Sequence, residues 1–370
     1  MNILIFLLIL LVLVLVHEFG HFITAKKSGI RVDEFAFGFP PRLFSKKKGE
    51  TTYAFNALPL GGYVKIFGEN PDDESISGPD ASRSFVNKPA RVQAMVLFAG
   101  IFFNLLLAWL LFSVGFISGM PSALDSGYDN KYIDNAALTI TSVSKGTPAE
   151  QAGLKIGDKI SAVTIVGEKD GGLVTPEVDV FQKFIAAHDT VPLEIDVVRG
   201  TEHTVIPVTP AQNVIPDDKE KAAIGISMGM IGTLKLPVHK AIWEGLTMTA
   251  RVTGATAASL YHLIKDAVTG HGSLSSITGP VGIVGVVGDA AHFGFVYLLS
   301  FTALISINLA VINFIPFPAL DGGRLLFLLI EKIKGSRITP KIANAFNSVG
   351  FALLIILMLV VTYHDIVKLF

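Results

Sequence analysis

The chain contains no cysteine among its 370 residues. Disulfides and thiolate ligands are therefore excluded, and any metal must be held by His, Asp or Glu. The absence is compatible with exposure to an oxidising compartment without requiring it. Charge is scarce as well. Only 16% of residues are Asp, Glu, Lys or Arg, against about a quarter in an ordinary soluble chain. The 30 basic and 31 acidic residues nearly cancel. No net field draws a polyanion, so nucleic acid is not expected as a partner. A repeat of the solenoid kind is also missing.

Apolar residues take the place of charge. They make up 51% of the chain, and the mean hydropathy is +0.56. They gather in runs, which indicates an α-helical polytopic membrane protein with four transmembrane helices. The first span is expected at 1–25. Its apolar run Ile3–Val16 reaches spanning length only by continuing through His17 to Thr24, at about 1.5 Å per residue. A signal peptide is the alternative, but no basic segment precedes the run and no small-residue cleavage site follows it. Further spans are expected at 92–118, 296–316 and 345–363, the third closed by Pro316 and Pro318.

The intervening segments differ in character. Residues 26–91 are basic and irregular, with Lys46-Lys47-Lys48 and the stretch Gly61-Gly62-Tyr63-Val64-Lys65-Ile66-Phe67-Gly68. Thr52–Phe55 and Tyr63–Phe67 alternate like strands about a Gly turn, which makes a β-loop at about 52–68. Residues 126–212 form a soluble module. Strands are expected at Leu138–Ile140, Lys159–Ile165, Leu193–Val198 and Thr204–Val208, with a helix at Thr175–Ala187. Residues 213–295 form a linker. It contains an amphipathic helix at Pro237–Thr269, lying on a membrane or on the protein, and a Gly- and Val-rich stretch at Thr278–Val287. The Lys and Arg residues of 26–91, together with Arg324, Lys332, Lys334, Arg337 and Lys341, put those two segments in the cytoplasm. Both termini and the module are then extracytoplasmic.

The chemistry begins at His17-Glu18-Phe19-Gly20-His21, an H-E-x-x-H pattern. Residues four apart on a helix point the same way, so both imidazoles reach one zinc ion. Glu18 stands beside them and can take a proton from a water activated there. Ionisable residues inside an apolar span are costly and mark function more often than structure. The plainer alternative is that the three residues cap the interfacial end of a span. A catalytic zinc needs a third protein ligand, and none lies close after His21 at the spacing of the metzincins. The best distant carboxylate is Asp321, within Asn313-Phe314-Ile315-Pro316-Phe317-Pro318-Ala319-Leu320-Asp321-Gly322-Gly323. A helix broken by two prolines at membrane depth implies a cavity. Asp321 as an N-cap for the segment from Arg324 is an equal reading of the same residues.

The pair H-E-F-G-H and N-x-x-P-x-P-x-L-D-G, in this order, resembles the site-2 protease family of intramembrane zinc metalloproteases. The order of parts looks like its bacterial regulator-of-sigma-E branch, and the resemblance covers nearly the whole chain. It includes the Gly61–Lys65 loop and the Gly279-Pro280-Val281-Gly282-Ile283 segment. The resemblance implies one Zn2+ per chain on His17, His21 and Asp321, and catalysis by Glu18. It also implies a re-entrant β-loop whose Gly61, Gly62, Tyr63, Val64 and Lys65 meet substrate, with Asn313 near the substrate backbone. Gly146-Thr147-Pro148-Ala149-Glu150-Gln151-Ala152-Gly153-Leu154-Lys155-Ile156-Gly157-Asp158-Lys159-Ile160 is similar to a run of bacterial PDZ domains. The module is thus expected to be a single, inserted, extracytoplasmic PDZ-like α+β domain, whereas some relatives carry two.

The function expected is cleavage of transmembrane segments of single-pass proteins in the bacterial inner membrane. Anti-sigma factors or remnant signal peptides are the expected substrates, with an upstream site-1-type protease as a partner and the lipid bilayer as the medium. A non-catalytic PDZ-bearing scaffold would have no need of Glu18. A zinc transporter would need more intramembrane ligands than the chain offers, His364 and Asp365 lying past the last span.

Overall fold

The structure is a computed structural model that describes residues 2–124, 127–168, 172–200, 202–214, 221–270, 279–336 and 338–367. Residues 215–220 and 271–278 of the expected linker, Arg337, and Ser126, the first residue of the expected module, lie outside the described residues. Along the chain the elements are α1 (Asn2–Lys27), β1 (Val32–Lys48), β2 (Thr51–Ile66), α2 (Asp73–Ser77) and α3 (Ala90–Ser118). Then follow β3 (Met120–Ala123), β4 (Ile133–Val143), α4 (Pro148–Ala152), β5 (Lys159–Ile165), β6 (Leu173–Val174), α5 (Val178–Ala187), β7 (Leu193–Arg199), β8 (Glu202–Val208) and β9 (Ile226–Leu234). The chain ends with α6 (Val238–Val268), α7 (Pro280–Phe293), α8 (Phe295–Phe314), α9 (Asp321–Lys334) and α10 (Pro340–Val367).

Four helices are long and apolar enough to cross a membrane: Asn2–Lys27, Ala90–Ser118, Phe295–Phe314 and Lys341–Val367. The first, second and third begin within two residues of the expected spans, because long apolar runs leave the backbone only one way to satisfy its own hydrogen bonds in lipid. The chain divides into two compact units. One comprises Met1–Val114, Ile242–Ala291 and Leu298–Phe370; the other comprises Gly115–Ala241 and His292–Tyr297.

In the first unit α1 packs on two sides. Ile9 and Leu13 bury against Val287 of α7 and Ile305 and Leu309 of α8. Nearer its C-terminus, Phe22 and Ala25 join Val32 and Phe35 of β1, Ile66 of β2 and Val96 and Leu97 of α3. The β1–β2 hairpin is folded over on itself. Phe35 faces both Val64 and Tyr53, and Ala36 both Tyr63 and Ala54, while Ser45 pairs with Ala54. Residues 32–37 therefore lie between two stretches of β2. The hairpin is longer than the β-loop read from sequence. Its first strand runs through Gly38-Phe39-Pro40-Pro41 and three lysines, a composition that denies strand propensity. At its base Lys26 and Arg83 both bind Glu50. The Lys26 hydrogen bond leads in holding the Glu50 carboxyl below the ordinary carboxylate range.

The second unit is a seven-stranded antiparallel sheet in the order β3-β9-β4-β5-β7-β8, with β6 beside β5. Leu138, Ile140, Val163, Leu193, Ile195 and Val197 alternate inward and close over Phe181 and Ile185 of α5. A cavity of about 260 Å³ lies between α5 (Phe181, Gln182, Ile185) and the start of β9 (Ile226, Ser227, Met228). Asp158 is wholly buried and accepts hydrogen bonds from Arg199 Nε at 2.7 Å, Arg199 Nη2 at 2.6 Å and the Lys155 amide at 2.9 Å. Removing one partner of such a pair strands a buried charge, at a cost of about 3 kcal/mol or more. Arg199→Ala should therefore lower the unfolding midpoint of this unit, read by denaturant-dependent proteolysis of the full chain. An unchanged midpoint would show that the pair contributes nothing.

Candidate metal centre and active site

Helical spacing brings the two imidazoles of α1 together. His17 Nε2 and His21 Nε2 lie 3.1 Å apart, and both rings are buried. Asp321 enters from the other end of the chain. It is the first residue of α9, and Leu320 occupies the N-cap position without any side-chain cap bond. The capping alternative is thus not what the carboxylate does. Its Oδ2 stands 3.1 Å from His17 Nε2 and 3.3 Å from His21 Nε2.

This triangle can be tested against a metal. Donors about 2.0–2.1 Å from a tetrahedral zinc stand about 3.3–3.4 Å from one another. The observed edges of 3.1, 3.1 and 3.3 Å are close to that spacing. Asp321 Oδ2 is buried and has no hydrogen bond aligned on it despite its two nitrogen neighbours. Three convergent lone pairs are what a cation relieves, and these residues fit one.

The protons of the rings are set from behind. The Val96 carbonyl accepts from His21 Nδ1 at 2.8 Å, so in the neutral ring Nε2 carries the lone pair. His17 Nδ1 faces the Asn104 side-chain amide at 3.2 Å. Asn104 is fully buried, and its Oδ1 has no partner. A half-turn of the amide lets that oxygen accept the His17 Nδ1 proton, which again leaves the lone pair on Nε2. Ser306 of α8 binds the Asn104 backbone carbonyl at 2.8 Å and fixes the α3 turn that carries it.

Glu18 lies next to the triangle but outside it. Its Oε2 accepts the Val64 amide of β2 at 3.0 Å. A cavity of about 290 Å³ is bounded by His17, Glu18, His21 and Asp321, by Val14 and Leu309, by Tyr63, Val64 and Glu69, and by Asn313 and Ala319. Of the residues assigned to substrate from sequence, Asn313, Tyr63 and Val64 face this cavity. Gly61, Gly62 and Lys65 do not line it. The glycines lie against Val14 and Leu15 of α1, and Lys65 is exposed.

Two functional positions escaped the sequence reading. Gly100 of α3 faces the imidazoles so closely that a Cβ there would lie 2.7 Å from His21 Cε1 and 2.8 Å from His17 Cε1. Asn104 follows one helical turn later. The available signal was a buried amide inside an otherwise apolar span, four residues from a glycine. Gly20 of α1 packs on the same stretch, where a Cβ would lie 2.8 Å from the Ala99 carbonyl carbon.

An apolar span and an amphipathic helix meet at one buried metal-sized triangle, with a carboxylate held beside it by a strand edge, and together define a hydrolytic metal site within a helical membrane scaffold. The chain belongs to peptidase family M50, whose model matches residues 5–357, and it is a site-2-type zinc metalloprotease. It is 36% identical over 357 residues to a Clostridium perfringens protein with a provisional zinc metalloprotease name, covering 96% of this chain and 95% of that one. It is 31% identical over 445 residues to the zinc metalloprotease RasP of Oceanobacillus iheyensis, covering 99% and 98%. It is 30% identical over 441 residues to the regulator of sigma-W protease RasP of Bacillus subtilis, again covering 99% and 98%.

The Gly100 contact yields a direct test. Gly100→Ala places a methyl group against both imidazoles, and we expect the purified variant to retain its helix content but lose most of its zinc, measured by elemental analysis. Full zinc content would mean that α3 can yield at this point.

Proposed function

We propose that the chain is an intramembrane endopeptidase of the regulator-of-sigma type, which cuts transmembrane segments of single-pass proteins. The observation that carries this reading is the set His17, His21 and Asp321 beside a Glu18 carboxylate that is held by a strand edge and not by the other three. In this reading His17 Nε2, His21 Nε2 and Asp321 Oδ2 hold one zinc ion. When bound, zinc supplies Lewis-acid polarisation of the scissile carbonyl and lowers the pKa of water. Glu18 accepts the proton of the attacking water and returns it to the departing amine. The Val64 amide keeps its carboxylate oriented meanwhile. Asn313, across the cavity, offers an amide to the substrate backbone.

A peptide bond in a helix is shielded by its own hydrogen bonds, so the substrate must unwind. Each backbone group freed in lipid costs several kcal/mol unless it is paired again. Residues 58–66 of β2 form the outer stretch of the hairpin and run past the cavity. They suit an unwound segment that adds as a further strand. The exposed Phe37, Phe39, Leu43, Phe44, Phe55 and Leu58 support immersion of the hairpin in the bilayer.

The Bacillus subtilis relative is named for regulating a sigma factor, which supports membrane-tethered anti-sigma factors as substrates here, with remnant signal peptides as a second source of the same kind of segment. An upstream site-1-type protease would trim them first. The second unit is read as a PDZ-like domain, supported by its cavity between α5 and β9, and as extracytoplasmic, supported by the basic residues of 26–91. The cell membrane of a bacterium is the proposed location.

Two experiments test this reading. Glu18→Gln should keep zinc and abolish cleavage of a model single-pass substrate, whereas Asp321→Ala should lose both. Normal turnover by the glutamine variant would remove Glu18 from the chemistry. For orientation, single cysteines at 47 and at the exposed position 183 can be introduced into this cysteine-free chain. An impermeant thiol reagent on intact cells should label position 183 and spare position 47. The reverse pattern would invert the topology.

A further inference from the structure

We propose that Arg324 and Glu69 form a positioning pair that locks the strand holding Glu18 to the helix carrying Asp321. The inference rests on the proteolytic reading above and adds to it two residues outside the set His17, Glu18, His21 and Asp321.

Arg324 stands one helical turn after Asp321 on α9. Its Nη1 forms an ion pair with Glu69 Oε1, and its Nη2 donates to Asn70 Oδ1 at 3.2 Å. The planar guanidinium thus grips two consecutive residues at once, which fixes direction as well as distance. The two charged side chains are 24% and 23% exposed. The pair is therefore shielded, unlike a surface pair that solvent would dissolve. Among the described residues, the ion pairs that join α9 to the N-terminal third of the chain are this one and the two contacts of Asp321 with His17 and His21.

From Glu69 the link to the chemistry is short. The Glu69 amide donates to the Ile66 carbonyl at 3.2 Å, closing a turn on the last residue of β2. Gly68 in that turn has φ +75 and packs against Ser84, so the turn has little freedom to absorb a shift. Two residues before Ile66, the Val64 amide binds Glu18. The order of parts is therefore Asp321, one helical turn, Arg324, Glu69, one tight turn, Val64, Glu18. The base and the third ligand come from opposite ends of the chain, and this pair sets their separation. A displacement on the order of 1 Å at a reacting group can cost a hundredfold in rate.

Glu69 also borders the cavity, which raises a second possibility: Arg324 could serve only to neutralise a carboxylate near Glu18. The two roles part under substitution. If Arg324 merely neutralises, Glu69→Gln is harmless. If the pair positions, both partners matter equally.

The test is a double-mutant cycle in the full-length zinc-loaded enzyme, using the single-pass substrate at saturation beside the parent and Glu18→Gln. We expect Glu69→Gln and Arg324→Gln each to lower kcat about tenfold or more, with zinc content and thermal midpoint close to the parent. The double variant should be no slower than either single one, and the exchanged pair, Glu69→Arg with Arg324→Glu, should recover a large part of the loss. Multiplying losses, a parent-like Glu69→Gln, or an exchanged pair as slow as the singles would each overturn the proposal. Parent activity and its loss in Glu18→Gln are read in the same assay, so failure of the pair is distinguished from failure of the proteolytic reading.

Discussion

Everything in the first unit depends on bringing two imidazoles and one carboxylate to a single point inside an apolar bundle. Each of these groups is expensive to bury alone, and together they fit a cation. The three ligand atoms lie within about 3.3 Å of one another, and Asp321 Oδ2 has no hydrogen-bond partner. The rest of the unit supplies what this point needs. Val96 and Asn104 set the ring protons from α3, Ser306 fixes the turn bearing Asn104, and the strand edge at Val64 takes up Glu18. The scaffold is a membrane bundle, but its most specific contacts are polar.

The broken end of α8 is the second requirement. Asp321 must arrive at the site without a spanning helix of its own, so the chain stops at Phe314, turns through Ile315–Leu320 and starts α9 at Asp321 itself. Ala319 adopts φ +69 in that turn, a left-handed conformation that costs a non-glycine residue about 1 kcal/mol or more. Gly322 and Gly323 then lie so close to the Ile315 and Phe317 carbonyls that no side chain fits. The two prolines and two glycines around Asp321 thus have separate tasks. The prolines end one helix, and the glycines let the next one start on top of the loop.

How much of this was legible in the sequence follows from how local each feature is. The spans and the H-E-x-x-H pair depend on neighbours within one helix, and both could be read from spacing. Asp321 could not be assigned from the residues alone, since N-cap and ligand are the same residue type in the same place, and the deciding partner lies about 300 positions away. The resemblance to known proteases suggested the ligand, and the helix boundary at Leu320 removes the cap. β1 and β9 went unread for different reasons. The former carries prolines and a lysine run. The latter, Ile226–Leu234, is rich in Gly and Met, and only its pairing with β4 makes it a strand. α7 was seen as a Gly- and Val-rich stretch without a structure. Its helix depends on packing against α1, since its residues are poor helix formers on their own. Gly100 and Asn104 were hidden because a span that is apolar all round shows no periodicity.

The contact of α1 and α3 has a bearing on movement. Where Gly20 meets Ala99 and Gly100, backbone lies on backbone, with no side chain between that could change rotamer. A side chain added at Gly20 would force the two helices apart. Half of the wall around the site is therefore set by the helix backbones themselves. The other half is built from a hairpin edge and a six-residue loop, which border the cavity with the side chains of Tyr63, Val64 and Ala319. The two halves therefore differ in what a substitution can change, rotamers on one side and the separation of the helices on the other.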